Sequence, residues 1–301
     1  MLKQSIKLLV FGLLALGLSL QTARADLQVF ACEPEWAALA KTLGGDHLTI
    51  YTATTHQQDP HHIQARPSLI AKARRADLLI CTGAELEIGW LPLLLRKSGN
   101  SKIQVGAPGH FIATDQVTLV GKPAVLDRSV GDVHAAGNPH IHLDPDRVLQ
   151  VARGLTDTLV RLDSANQTSY QNGLEAFTAD WQGNISRWRQ QAAALKNKPI
   201  AAHHDGWPYL NDWLGLNQVA LLEPRPGIPP SSTHLSGVLA SLKQTPVDLV
   251  VYASYDDPRA ARWLAEKTGI PAIELDASPV ANETLTQWFD RLIKQLLMNQ
   301  S

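Results

Sequence analysis

The sequence predicts an α/β protein of two lobes, each a parallel sheet flanked by helices, with a cleft between them and one long linking helix joining them. Three observations lead there. Short β-type runs alternate with helical ones in the first part of the chain, a helical stretch over 165–195 follows, and the alternation resumes after Pro199. Strands alternating with helices imply a parallel sheet with helices on both faces.

The first residues read as an export signal. Lys3 and Lys7 flank an apolar run over 8–20, and Ala23-Arg24-Ala25 supplies the small-x-small pattern of a cleavage site. The run is too short for a membrane span, which needs about 18 to 20 apolar residues. The expectation is a signal peptide at 1–25, cleaved after Ala25, and a soluble periplasmic chain starting at Asp26. Removing 25 of 301 residues leaves 276, enough for two domains. Lys3, Lys7 and Arg24 leave with the signal, so the formal charge of −1 becomes −4. That mild balance, with no basic run interleaved with aromatics, argues against nucleic acid as a partner.

In the first lobe, 26–143, the expected strands are 27–31, 47–53, 77–81 and 103–105, and the expected helices are 35–43 and 67–75. From Asp144 the texture changes. Asp144-Pro145 is an N-cap followed by proline at the first helical position, and Val148, Val151, Leu155, Leu159 and Leu162 keep helical spacing. Tyr170, Leu174, Phe177, Trp181, Ile185 and Trp188 then recur three or four residues apart. At about 1.5 Å per residue the stretch 165–195 is about 45 Å long, enough to bridge two lobes. The linking segment is therefore 144–196. In the second lobe, 197–301, strands are expected at 199–202, 217–222, 247–253 and 272–275, with helices at 206–214, 236–244, 258–268 and 283–297.

Eleven histidines are many for this length, and their positions matter more than their number. His61 and His62 lie in a loop after the second strand, His140 and His142 in Asn138-Pro139-His140-Ile141-His142, and His203 and His204 directly after the strand 199–202; Asp276 ends the strand 272–275. Three of these four groups fall just past the carboxyl end of a strand, where ligands bind in open α/β sheets. Zinc takes neutral imidazole and carboxylate in four-coordinate sites, so one histidine from each loop plus Asp276 would complete a shell in the cleft. Plain alternatives stand beside this. A His-His pair can be a solvated loop, Asp144 has a sufficient role as a helix cap, and the tryptophans of the long helix read as core. His47, His56 and His110 read as surface residues, and His234 as a helix start.

Cys32 and Cys81 end the first and third strands, which are neighbours in sheets of this topology, so a disulfide between them is expected in an oxidising compartment.

Several motifs in order give the chain a resemblance to the zinc- and manganese-specific solute-binding proteins of ABC transporters, often called cluster A-I. They are Asp59-Pro60-His61-His62 with Arg66-Pro67-Ser68, Ala76-Asp77-Leu78-Leu79-Ile80 leading into Gly83-Ala84-Glu85-Leu86-Glu87, Gly137-Asn138-Pro139-His140-Ile141-His142-Leu143-Asp144-Pro145, His204-Asp205-Gly206-Trp207-Pro208-Tyr209, and Asp276. The resemblance implies a metal in the cleft, held by His61, His140, His204 and Asp276, and delivery to the membrane permease of an ABC importer by a monomer that is not an enzyme. Three histidines favour Zn2+, with Mn2+ the lesser alternative because hard oxygen ligands suit manganese better. Asp59, Asp144 and Asp205 are the residues expected to orient the imidazoles. Many zinc members carry a histidine- and acid-rich loop before the second motif, whereas here 127–137 offers Asp127, Asp132 and His134. A periplasmic metallochaperone is the competing reading, and a zinc hydrolase, with water in the fourth position, is the remaining one.

Overall fold

The computed structural model describes residues 26–123 and 131–298. The expected signal peptide and Asp127 lie outside them. In chain order the elements are β1 (Leu27–Ala31), α1 (Pro34–Gly44), β2 (Leu48–Thr52), α2 (Pro67–Ala73), β3 (Leu78–Cys81), α3 (Leu91–Ser98) and β4 (His110–Ile112), then α4 (Pro145–Leu162) and α5 (Gln167–Gln191). The second half adds β5 (Pro199–Ala202), α6 (Pro208–Leu214), β6 (Asn217–Leu221), α7 (Ser232–Leu242), β7 (Leu249–Ala253), α8 (Arg259–Thr268), β8 (Ala272–Leu275) and α9 (Leu285–Met298).

Two four-stranded parallel sheets result, ordered β2-β1-β3-β4 and β6-β5-β7-β8. In each, the first strand of the lobe lies inside the sheet, so the loops leaving adjacent strands converge at one edge. The strand expected at 103–105 is absent. Ser101–Ile103 forms a 3-10 turn, and the fourth strand is His110–Ile112. Helix α3 had no counterpart in the sequence reading. It is short, and its Leu91-Pro92-Leu93-Leu94-Leu95 run shows no polar face from which a helical period could be read.

The long helix α5 runs 25 residues and is lengthened by 3-10 turns at Ser164–Asn166 and Ala192–Leu195. It packs on both lobes. Near its start, Gly173 lies so close to the first lobe that a Cβ there would stand 2.4 Å from the Leu43 carbonyl oxygen. Near its end, Trp181 and Trp188 pack at 5.0 Å from each other, and the Trp188 ring lies 5.0 Å from Phe289 of α9. One buried cluster runs from Trp36 and Leu39 of α1 through α4 and α5 to Trp288 and Phe289. Each large side chain so buried contributes roughly 1.5–3 kcal/mol, which favours a stiff join over a free hinge.

Candidate metal centre

Three local devices aim three histidines at one point. Asp59 caps the 3-10 turn Pro60–His62 by accepting the His61 backbone N–H at 2.9 Å, and the Trp90 indole donates to the Pro60 carbonyl at 2.9 Å, so the turn is pinned from both sides. The His140 backbone N–H donates to the Asn138 side chain at 3.0 Å, while the amide of the same side chain donates to the Asp205 carbonyl of the second lobe at 2.7 Å. His204 leaves β5 just after His203, whose N–H continues the ladder to Val251. The outcome is one imidazole from each of three loops, with ligand atoms of His61, His140 and His204 all within 4.8 Å of one another.

Hydrogen bonds set the tautomers. The Asp59 carboxylate lies 2.7 Å from His61 Nδ1, and the Glu223 carboxylate lies 2.7 Å from His204 Nδ1. A carboxylate can only accept, so each Nδ1 carries the proton and each Nε2 presents its lone pair. His140 is fully buried, its Nε2 has no hydrogen-bond partner among the described residues, and burial, then His204 and His61 beside it, holds its pKa well below the ordinary histidine value. For Asp59, burial works toward a higher pKa, but the bonds from His61 outweigh it and leave the carboxyl below its usual range. For His204, burial opposes the charge, but the Glu223 carboxylate outweighs it and raises the pKa.

A fourth imidazole comes from the segment before the second motif. His134 Nδ1 donates to the Ala84 carbonyl at 2.9 Å, which leaves its Nε2 as an acceptor, 3.2 Å from His61 Nε2. Two nitrogen lone pairs facing at this distance repel unless a cation or a proton lies near them. Burial, then the His61 charge, pushes the His134 pKa down to about 4. Backbone geometry supports the contact. Gly83, Ala84 and Glu85 all have positive φ (87°, 47° and 70°), a run that is uncommon for residues with a Cβ and that turns the Ala84 carbonyl toward His134. The Glu85 carboxylate accepts the Ala135 N–H at 3.0 Å, and Asp132 N–H donates to Pro226 of the second lobe at 2.9 Å.

The other expected residues have different surroundings. Asp276, expected as the fourth ligand, is not in the histidine group. Its carboxylate pairs with Arg291 of α9, and its carbonyl accepts the Trp288 indole at 2.8 Å. Of the three carboxylates expected to orient imidazoles, Asp59 does contact a ring. Asp144 instead caps α4 through the N–H groups of Asp146 and Arg147 and pairs with the Arg147 side chain, and the Asp205 carboxylate accepts the Gln218 amide at 3.3 Å. Glu223 takes the place the sequence reading gave to Asp205. It was missed because only the adjacency of β5 and β6 brings residue 223, two past the end of its strand, beside His204. His203 is buried with its Nε2 3.9 Å from Glu223, and His142 Nε2–H donates to the Ala277 carbonyl at 3.0 Å. His234 sits in the first turn of α7, where its N–H donates to the Ser231 cap at 3.2 Å. Cys32 and Cys81 form a disulfide across neighbouring β1 and β3, with Cα atoms 4.8 Å apart. Beside it Glu33 and Glu87 are both buried, and burial, then the Glu87 carboxylate, pushes the Glu33 carboxyl well above its usual range.

Chemically, the arrangement offers neutral nitrogen donors, oriented in advance, at a buried point between the two sheets. It suits a borderline divalent ion such as zinc. Among the described residues no helix is long and apolar enough to cross a membrane.

Comparison with known proteins shows the family of the chain. The family described as zinc-uptake complex component A, periplasmic, matches residues 29–297. The manganese ABC transporter substrate-binding lipoprotein PsaA of Streptococcus pneumoniae is 24% identical over 274 residues, covering 87% of this chain and 84% of its own. The iron ABC transporter substrate-binding lipoprotein MtsA of Streptococcus pyogenes serotype M1 is 22% identical over 257 residues, covering 83% of this chain and 80% of its own. Among solved structures, a crystal structure of ZnuA superposes with a TM-score of 0.77 at 20% identity, over 92% of this chain and 100% of that one. A manganese-bound periplasmic metal binding protein from Candidatus Liberibacter asiaticus gives 0.73 at 15% identity, over 92% and 100%. The last two show a shared fold.

Proposed function

The chain belongs to the family of periplasmic zinc-uptake component A proteins, and so to the metal-binding substrate-binding proteins of ABC transporters; from this premise we propose that its cargo is Zn2+. The observation that carries the proposal is the group of His61, His140 and His204, three buried imidazoles from three loops with their ligand atoms within 4.8 Å and no carboxylate among them. His134, outside that group of three but with its Nε2 3.2 Å from His61 Nε2, is the candidate for a fourth nitrogen. The relatives' names include manganese and iron, so the donor set must argue the choice of metal. Four imidazoles suit zinc, whereas manganese favours carboxylate and carbonyl oxygen.

The protein's part is capture and delivery. Asp59 and Glu223 hold two of the rings in the tautomer that binds metal, so little ordering is required on binding. The loaded protein then docks on the permease of an importer in the periplasm. Hydrolysis is disfavoured because the three histidines come from loops of two lobes and the sequence carries no His-Glu-x-x-His motif. Handover to an apo-enzyme, the metallochaperone role, remains the alternative, and co-purification with a permease against co-purification with a metalloenzyme separates the two. The direct test is a titration with Zn2+ and with Mn2+, each competed against a chelator. One tight zinc per chain and much weaker manganese is expected. Equal retention of manganese overturns the zinc assignment.

A further inference from the structure

Arg291 lies on α9, an element that carries none of the histidine loops, and its guanidinium is committed on two sides. Nε and Nη2 donate to the two Glu283 oxygens at 2.9 and 2.7 Å, a bidentate grip that fixes the plane of the group. Glu283 is itself anchored, accepting the Val280 N–H at 2.9 Å. The remaining arm, Nη1, takes the Asp276 carboxylate. Asp276 follows β8 at the same carboxyl end of the sheet from which His204 leaves β5. The next residue, Ala277, places its carbonyl 3.0 Å from His142 Nε2, and the His142 ring lies 6.0 Å from the His140 ring. The backbone next to Asp276 thus meets the metal loops, while the Asp276 carboxylate is paired with Arg291 and lies outside the histidine group.

We infer that Arg291 is a specificity-determining residue: by holding the Asp276 carboxylate off the histidine cluster it keeps oxygen out of the donor set and biases the site toward zinc and against manganese. The inference rests on the reading of the histidine cluster as the metal site. An aspartate that loses its guanidinium partner beside a divalent cation has a strong electrostatic reason to turn to it. An added carboxylate oxygen helps a hard ion such as Mn2+ more than it helps zinc, which imidazole already suits. Arg291 acts through Asp276 and touches no metal.

Two measurements test this, both with titrations of Zn2+ alone and Mn2+ alone, the free manganese followed by its electron paramagnetic resonance signal. First, Arg291→Met should raise Mn2+ affinity about 10- to 100-fold, the range seen when groups behind metal ligands are changed. The gain should vanish in the double variant Arg291→Met with Asp276→Asn. A gain that survives in the double variant, or no gain at all, overturns the inference. Second, Asp276→Asn alone, which keeps Arg291, should leave Zn2+ affinity within about tenfold of the parent, because the carboxylate is off the metal. A loss of several orders of magnitude overturns it by making Asp276 a ligand. His204→Ala, run alongside, separates this failure from failure of the site itself: if zinc binding survives that change, the histidine cluster is not the centre.

Discussion

At the scale of single residues, His203 and His204 make the sharpest contrast. They are neighbours leaving the same strand, yet only His204 joins His61 and His140. His204→Ala should weaken zinc by orders of magnitude, whereas His203→Ala should cost no more than about 10- to 100-fold. Isothermal titration of both variants checks this, and a larger loss from His203→Ala would reverse the assignment. Proton competition should centre on the same residue. Glu223 raises the His204 pKa, so just above the ordinary histidine value of about 6.5 the ring is still protonated without metal and must lose that proton to bind it. His140 and His134, both held below that value, are already neutral there and release nothing. Zinc binding in that pH window should therefore release more protons in the parent than in Glu223→Gln, where the stabilising carboxylate charge is gone. Calorimetry in two buffers of different ionisation enthalpy counts the protons. Equal counts would contradict the role given to Glu223.

At the scale of elements, sequence patterns located most strands and helices because each carries a local signal. Asp144-Pro145 marks the start of α4, and the spaced aromatics from Tyr170 to Trp188 mark α5. What could not be read is what depends on the order of strands. Glu223 meets His204 only because β6 pairs with β5, and Asp276 meets Arg291 only because α9 returns to the end of β8. The contact of His134 with Ala84 was not legible because it needs three successive positive φ angles, which no residue type there signals except Gly83. Two element-level changes follow. Asp144→Ala removes a side chain that caps two N–H groups of α4 and should cost about 1 kcal/mol, more if Arg147 is left unpaired. Reducing the Cys32–Cys81 disulfide should cost about 2–4 kcal/mol. Chemical denaturation of each reports the loss, and an unchanged midpoint in either would show that the contact is idle.

At the scale of the whole molecule, the shared core along α5 ties both lobes together, so metal affinity should arise mostly from preset ligands and not from a large closing motion. Zinc that binds only the folded chain stabilises it by mass action, about 2.7 kcal/mol at a free concentration one hundred times Kd. The melting temperature should climb with zinc and fall back when a chelator is added. The central claim, one zinc held by imidazole, is tested most directly by a zinc-loaded crystal structure with anomalous scattering at the zinc edge. The account predicts a single peak coordinated by His61, His140 and His204, with His134 as fourth donor and Asp276 still paired with Arg291. A peak elsewhere, or one coordinated mainly by carboxylates, would contradict it.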